Sequence, residues 1–109
     1  MQIKAGIIGG AGYTGGELIR LLVNHPAVSL KFIHSRSNAG KPISTIHQDL
    51  LGETSLVFTD SNAELTNGTL DVLFLCLGHG ESKKFLSETK LSDSIKVIDL
   101  ANDFRLLQD

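Results

Sequence analysis

Apolar positions fall along this chain in short continuous runs that alternate with stretches of helical spacing. Residues 3–8 read IKAGII, a mostly apolar run typical of a parallel strand buried on both faces. A glycine cluster follows, and behind it Leu18, Leu21 and Leu22 recur at helical spacing. That spacing predicts a helix over residues 12–24, its leucines turned to a sheet, ended by His25-Pro26. Thr14 and Glu17 have capping-box spacing and would allow a later start; the earlier start is preferred. Residues 28–34, VSLKFIH, form a second strand. Residues 38–54 are irregular, broken by Gly40, Pro42 and Gly52, with room for a short helix within 41–51. Residues 55–59 read as a short strand at or near an edge, and 63–65 as a helical turn before Asn67-Gly68. Residues 71–77, DVLFLCL, are the strongest strand in the chain. A helix over 81–89 and a last strand over 95–100 complete the pattern. Apolar strands with helical patterns between them imply an α/β, Rossmann-like doubly wound parallel sheet in the order 3-2-1-4-5.

A strand, a glycine turn and a helix, in that order, begin a nucleotide-binding unit. The helix start aims unpaired N–H groups and a positive dipole end at its guest, and a pyrophosphate suits both. The glycines fit two registers. Gly10-x-Gly12-x-x-Gly15 is G-x-G-x-x-G, and Gly9-x-x-Gly12-x-x-Gly15 is a looser variant. Both put Gly12 where a Cβ would block phosphate and Gly15 where helix meets strand. Gly10, Ala11, Gly12, Tyr13, Thr14 and Gly15 are therefore candidate cofactor-binding residues. Tyr13 has two readings, packing over the helix or lining the cleft.

An NAD site uses an acidic residue about twenty positions past the glycines to hold the ribose 2′-hydroxyl. Here that place reads Ser35-Arg36-Ser37, with no carboxylate beside it in sequence. Arg36 suits a 2′-phosphate, and two hydroxyls can donate to the same group. NADP(H) is therefore expected over NAD(H). Gly78-His79-Gly80 follows the strongest strand, at the carboxyl end where ligands of such sheets lie. Gly78 and Gly80 would admit the cofactor. His79 would touch the nicotinamide ribose, shape the cleft or serve conformation alone. His47 has no evident partner and reads as a surface or packing residue. Asp103 and Arg105 suit an anionic substrate or a mutual ion pair.

The chain has 109 residues, one domain's worth, with a net charge of −2 and 20% charged residues. Nothing electrostatic points to nucleic acid or a membrane surface. No run approaches a membrane span and no secretory signal is visible, which together fit a cytoplasmic protein. The single cysteine, Cys76, excludes an internal disulfide and reads as an inert core thiol. Cys76 and His79 form C-x-x-H without a second ligand pair, so no metal site is expected.

The glycine turn from Gly9 to Leu18, Ser35-Arg36-Ser37 with Gly40-Lys41, the segment from Asp71 to Gly80, and Val97-Ile98-Asp99-Leu100 with Asp103-Phe104-Arg105 occur together in order. This set closely resembles the N-terminal part of the N-acetyl-γ-glutamyl-phosphate reductase family, over nearly the whole chain. The resemblance implies NADPH-dependent reduction of an acyl phosphate to a semialdehyde in arginine biosynthesis. It implies a small-molecule acyl-phosphate substrate and a homo-oligomeric full-length protein. In that family a cysteine thiolate forms a thioester that hydride reduces, and a histidine assists; both stand in a second domain. Residues 1–109 are thus expected to be the NAD(P)-binding domain of a longer enzyme, with no catalytic residue and no turnover alone. The resemblance gives Gly10 to Gly15 the pyrophosphate and Ser35 to Ser37 the 2′-phosphate, lays Gly78-His79-Gly80 along the cofactor, and matches Arg105 to a position that grips the substrate phosphate in the related aspartate-semialdehyde dehydrogenases. Ala101 and Gly78 depart from the family's usual serine and proline. The alternatives are a related semialdehyde dehydrogenase or aminoadipyl-phosphate reductase, a non-catalytic NADP-binding module, and a methyltransferase-like domain, which Ser35-Arg36-Ser37 disfavours.

Overall fold

A computed structural model describes residues 2–61, 65, 70–78 and 80–100. Along the chain run β1 (Ile3–Ile8), α1 (Tyr13–Val23), β2 (Val28–His34), α2 (Ile43–Ile46), a 3-10 turn (Gln48–Leu50) and β3 (Phe58–Thr59). Then come β4 (Val72–Leu75), α3 (Glu81–Glu88) and β5 (Lys96–Asp99). The five strands form one sheet in the order β3-β2-β1-β4-β5, every pairing parallel. The order reverses between β2 and β4, on either side of β1, where a doubly wound sheet opens a crevice.

Alternate residues of the central strands serve opposite layers. Ile7 joins Ile19, Leu22, Ile33, Ile43, Leu50 and Phe58 on the α1 face. Its neighbour Ile8 joins Phe32, Leu65, Leu70, Leu73, Leu75 and Ile95 on the other, with Phe85 of α3 packed against them. Side chains on a strand point alternately to its two faces, so a continuous apolar run feeds two cores. β5, at the edge, leaves Val97 and Ile98 exposed.

α1 starts directly after Gly12, with no side-chain cap, so the Thr14–Glu17 capping box is not used. It ends at Asn24, and His25 N–H closes the last turn on the Leu22 carbonyl at 3.1 Å. Pro26 disfavours helical backbone at His25. The buried face differs from the expected one. Gly15, Gly16, Ile19 and Leu22 face the sheet, while Leu21 is 70% exposed. Residues 15, 19 and 22 share a helical face, and Leu21 lies about 100° round from Leu22.

The irregular segment after β2 is pinned to α1. Arg20 forks onto Asp49 at 2.5 and 2.9 Å and reaches Glu17 at 3.1 Å. The same segment pairs with β3, where Phe58 N–H donates to the Lys41 carbonyl at 2.9 Å. The turn expected at Ala63, Glu64, Asn67 and Gly68 lies outside the described residues.

Candidate functional site

A crevice of about 540 Å³ opens over the carboxyl ends of the strands. Ile8, Gly9, Ala11 and Gly12 form one wall, from the end of β1 into the turn before α1. His34, Ser35 and Arg36 come from the end of β2, Asp60 from the end of β3 and Leu77 from beyond β4. α3 closes the far side with Glu81, Lys84, Phe85 and Glu88.

The glycines of the turn differ in what surrounds them. Gly9 has φ +86°, and a Cβ there would lie 2.6 Å from the Cys76 carbonyl oxygen. Only glycine makes that tight turn without strain. Gly15 sets helix against turn, with an added Cβ 2.7 Å from Gly10 Cα and from the Gly9 oxygen. Gly12 is different: nothing lies within 4 Å of its missing Cβ, and the residue lines the crevice. Gly10 is buried and clears Ile33, whose Cγ2 would sit 2.1 Å from an added Cβ. Both Gly9 and Gly10 N–H groups donate to the His34 carbonyl at 3.0 Å. Among the described residues, no acceptor meets the Ala11 or Gly12 N–H.

On the neighbouring loop, Ser35 is buried and its N–H donates to the Thr59 carbonyl at 2.9 Å. The Asn38 amide donates to the hydroxyls of Ser35 at 3.2 Å and Ser37 at 3.4 Å. A hydroxyl that accepts from an amide keeps its own hydrogen to donate elsewhere. Among the described residues no carboxylate forms an ion pair with Arg36. His34, beneath this loop, is buried. Burial lowers its pKa, the Arg36 charge adds to that, and a hydrogen bond to the Asp60 backbone and the Asp60 charge oppose both.

Of the residues singled out from sequence, Ala11, Gly12, Ser35 and Arg36 meet on the crevice wall. Gly10 and Gly15 stand behind it as packing positions. Tyr13 is 76% exposed and lines a separate hollow beside Arg20 and His47. Thr14, Ser37, Gly78 and Gly80 are not on the crevice wall. Gly80, at φ +76°, is the residue from which α3 starts. His79, Asp103 and Arg105 lie outside the described residues. Cys76 is half-buried, and burial, with Asp99 nearby, pushes its thiol up to about 11. Among the described residues no cluster of three or more His, Cys, Asp or Glu is arranged to hold a metal. Among them, too, no helix is long and apolar enough to cross a membrane.

Three contributors escaped the sequence reading. Asn38 could have been noticed, since it follows the serines directly in a polar loop. Asp60 is 26 positions from His34 by number and reaches the site only because β3 pairs beside β2; it puts a carboxylate on the wall that the local sequence lacked. His47 hydrogen-bonds the Gly10 carbonyl at 2.7 Å, and nothing local announces it.

Residues 4–109 match the family described as semialdehyde dehydrogenase, NAD binding domain. The chain belongs to that family. The chain is 57% identical over 108 residues to the N-acetyl-gamma-glutamyl-phosphate reductase of Phocaeicola vulgatus, covering 99% of this chain and 33% of the relative. It is 57% identical over 105 residues to the reductase of the same name from Christiangramia forsetii, covering 96% and 32%. The Flavobacterium johnsoniae relative of that name is 53% identical, with 99% and 32% covered. The chain thus spans about a third of the length of these relatives. In fold it is similar to aspartate semialdehyde dehydrogenase with NADP from Candida albicans, with TM-score 0.70 and 22% identity over 96% of this chain and 31% of that one. The doubly wound sheet expected from sequence is the one observed, similar in fold to that dehydrogenase, and the family is described as an NAD binding domain.

Proposed function

We propose that this chain is the cofactor-binding domain of an NADPH-dependent N-acetyl-γ-glutamyl-phosphate reductase, which reduces an acyl phosphate to a semialdehyde. The observation that carries the cofactor half is the uncapped start of α1, where the Ala11 and Gly12 N–H groups have no partner among the described residues and open space surrounds the missing Cβ of Gly12. Unpaired amides at a helix start, with the positive dipole end behind them, hold a pyrophosphate. Arg36 and the two serine hydroxyls suit a 2′-phosphate, because Asn38 occupies the hydroxyls as acceptors and leaves their hydrogens to donate. When bound, the cofactor supplies a hydride; these residues bind and orient it. By the family resemblance, Gly78, His79 and Gly80 would serve its nicotinamide half and Arg105 the substrate phosphate, although Gly78 and Gly80 are not on the crevice wall. The reductase activity and its substrate are carried over from the names of the relatives; a homo-oligomeric, cytoplasmic full-length enzyme is what the family resemblance implies, and residues 1–109 by themselves are expected to turn over no substrate.

A second reading, NAD(H), draws on Asp60. A carboxylate on the same wall as Arg36 would hold a free 2′-hydroxyl and repel a phosphate. Fluorescence titration with NADPH and NADH separates the two. NADPH should bind more tightly, and Arg36→Ala should weaken NADPH by about 10- to 100-fold, the worth of a charge-assisted contact, with NADH little changed. Tighter NADH binding, unaffected by the substitution, would leave Asp60 as the deciding residue.

A further inference from the structure

His47 sits beneath the glycine turn with its side chain almost wholly enclosed, at 7% exposure. Its ring lies tilted on Phe58, centroids 6.4 Å apart, and its Nε2 is 2.7 Å from the Gly10 carbonyl oxygen. A carbonyl oxygen only accepts, so Nε2 must carry the proton and donate. The Gly10 N–H is held from the opposite end of the residue by the His34 carbonyl at 3.0 Å. Gly10 is therefore fastened at both its polar groups.

The Gly10 carbonyl shares a peptide with the Ala11 N–H. Among the described residues no peptide is cis, and in a planar trans peptide the N–H points opposite to the C=O. Anchoring the carbonyl on His47 therefore turns the Ala11 N–H away from His47. Ala11 lines the crevice, and its N–H has no partner among the described residues.

We infer that His47 is the positioning residue of the phosphate-binding turn: its Nε2–H grips the Gly10 carbonyl and so aims the adjoining Ala11 N–H at the pyrophosphate. This rests on the dinucleotide reading of the crevice. It also explains Gly16, which belongs to neither register of the glycine motif. A Cβ on Gly16 would lie 2.6 Å from His47 Cε1 and 2.8 Å from Nδ1. Gly16 is the space the imidazole fills. Without it the ring moves, and the grip on Gly10 is lost.

The test compares NADPH with adenosine 2′-monophosphate, which carries the 2′-phosphate but no pyrophosphate. His47→Phe keeps a flat ring against Phe58 and removes the donor; His47→Gln keeps a donor. Binding is followed by fluorescence for NADPH and by NMR shifts for the monophosphate. His47→Phe and Gly16→Ala should each weaken NADPH by about tenfold, the scale of a lost buried hydrogen bond, and leave the monophosphate as in wild type. His47→Gln should recover most of the loss. A role in folding alone would weaken both probes together, or neither, and either result overturns the inference. Wild-type protein that binds neither NADPH nor NADH overturns the reading of the crevice and this inference with it. Should His47→Phe fail to fold, the ring nitrogens of wild type still decide: NMR should find the neutral imidazole protonated on Nε2, and a proton on Nδ1 instead overturns the claim.

Discussion

The glycines of the first turn separate stability from binding at single positions. Gly15 touches backbone, with an added Cβ 2.7 Å from Gly10 Cα, and backbone at the base of a helix cannot shift cheaply. Gly15→Ala should lower unfolding free energy by about 1–3 kcal/mol, the range for an overfilled site, as measured by urea titration. Gly12 has open space where its Cβ would go. Gly12→Ala should leave the urea midpoint nearly unchanged while abolishing NADPH binding, since the methyl group would stand where phosphate approaches. Cys76 offers a chemical check. With its thiol pushed up to about 11, iodoacetamide labelling should be slow at neutral pH and rise about tenfold per pH unit up to that value, as the thiolate fraction does. Labelling that is already fast and flat near pH 8 would mean an activated thiol.

Among the elements, α3 is held differently from α1. α1 lays Ile19 and Leu22 into the core, whereas α3 is short and its one wholly buried side chain is Ser82. The Ser82 hydroxyl donates to the Asp99 carboxylate at the end of β5, 3.0 Å away. Since α3 forms the far wall of the crevice, this bond ties that wall to the sheet edge. Ser82→Ala should cost about 1–3 kcal/mol, because a carboxylate loses a donor. Hydrogen exchange should show α3 opening more readily, with α1 unaffected. The strands and helices themselves were legible from local pattern: β1 and β2 fall on the runs at 3–8 and 28–34, and the stop at Pro26 follows from backbone sterics. The face of α1 was misjudged at Leu21 because three leucines outweighed the phase set by Gly15 and Ile19.

For the whole molecule, two ionisable groups among the described residues, His34 and Asp49, tie stability to acid. His34 has its pKa lowered, chiefly by burial. The unfolded chain therefore takes up a proton first, and stability falls as pH drops from about 6.5 toward the lowered value. His34→Gln should flatten that part of a urea-midpoint profile. Asp49 is held below its usual value by Arg20. Its contribution is present above the unfolded carboxylate value and is lost as pH falls through the lowered one. Salt should shrink it, because the pair is exposed.

What the linear chain decided alone is whatever depends on near neighbours. Apolar runs select strands, glycines select the turn, and the handedness of crossovers then leaves few sheet orders to choose from. Arg36 and its flanking serines were visible for the same reason, since they sit side by side at a strand end. What Gly9 and Gly10 each pack against was decided by the end of β4 and by Ile33, not by spacing. Tertiary structure alone brought Asp60 to the wall beside Arg36, and laid the segment after β2 across α1 so that His47 meets Gly10 from 37 positions away. Those meetings depend on where long connections come to rest, which the packing of the whole sheet determines and no local pattern encodes.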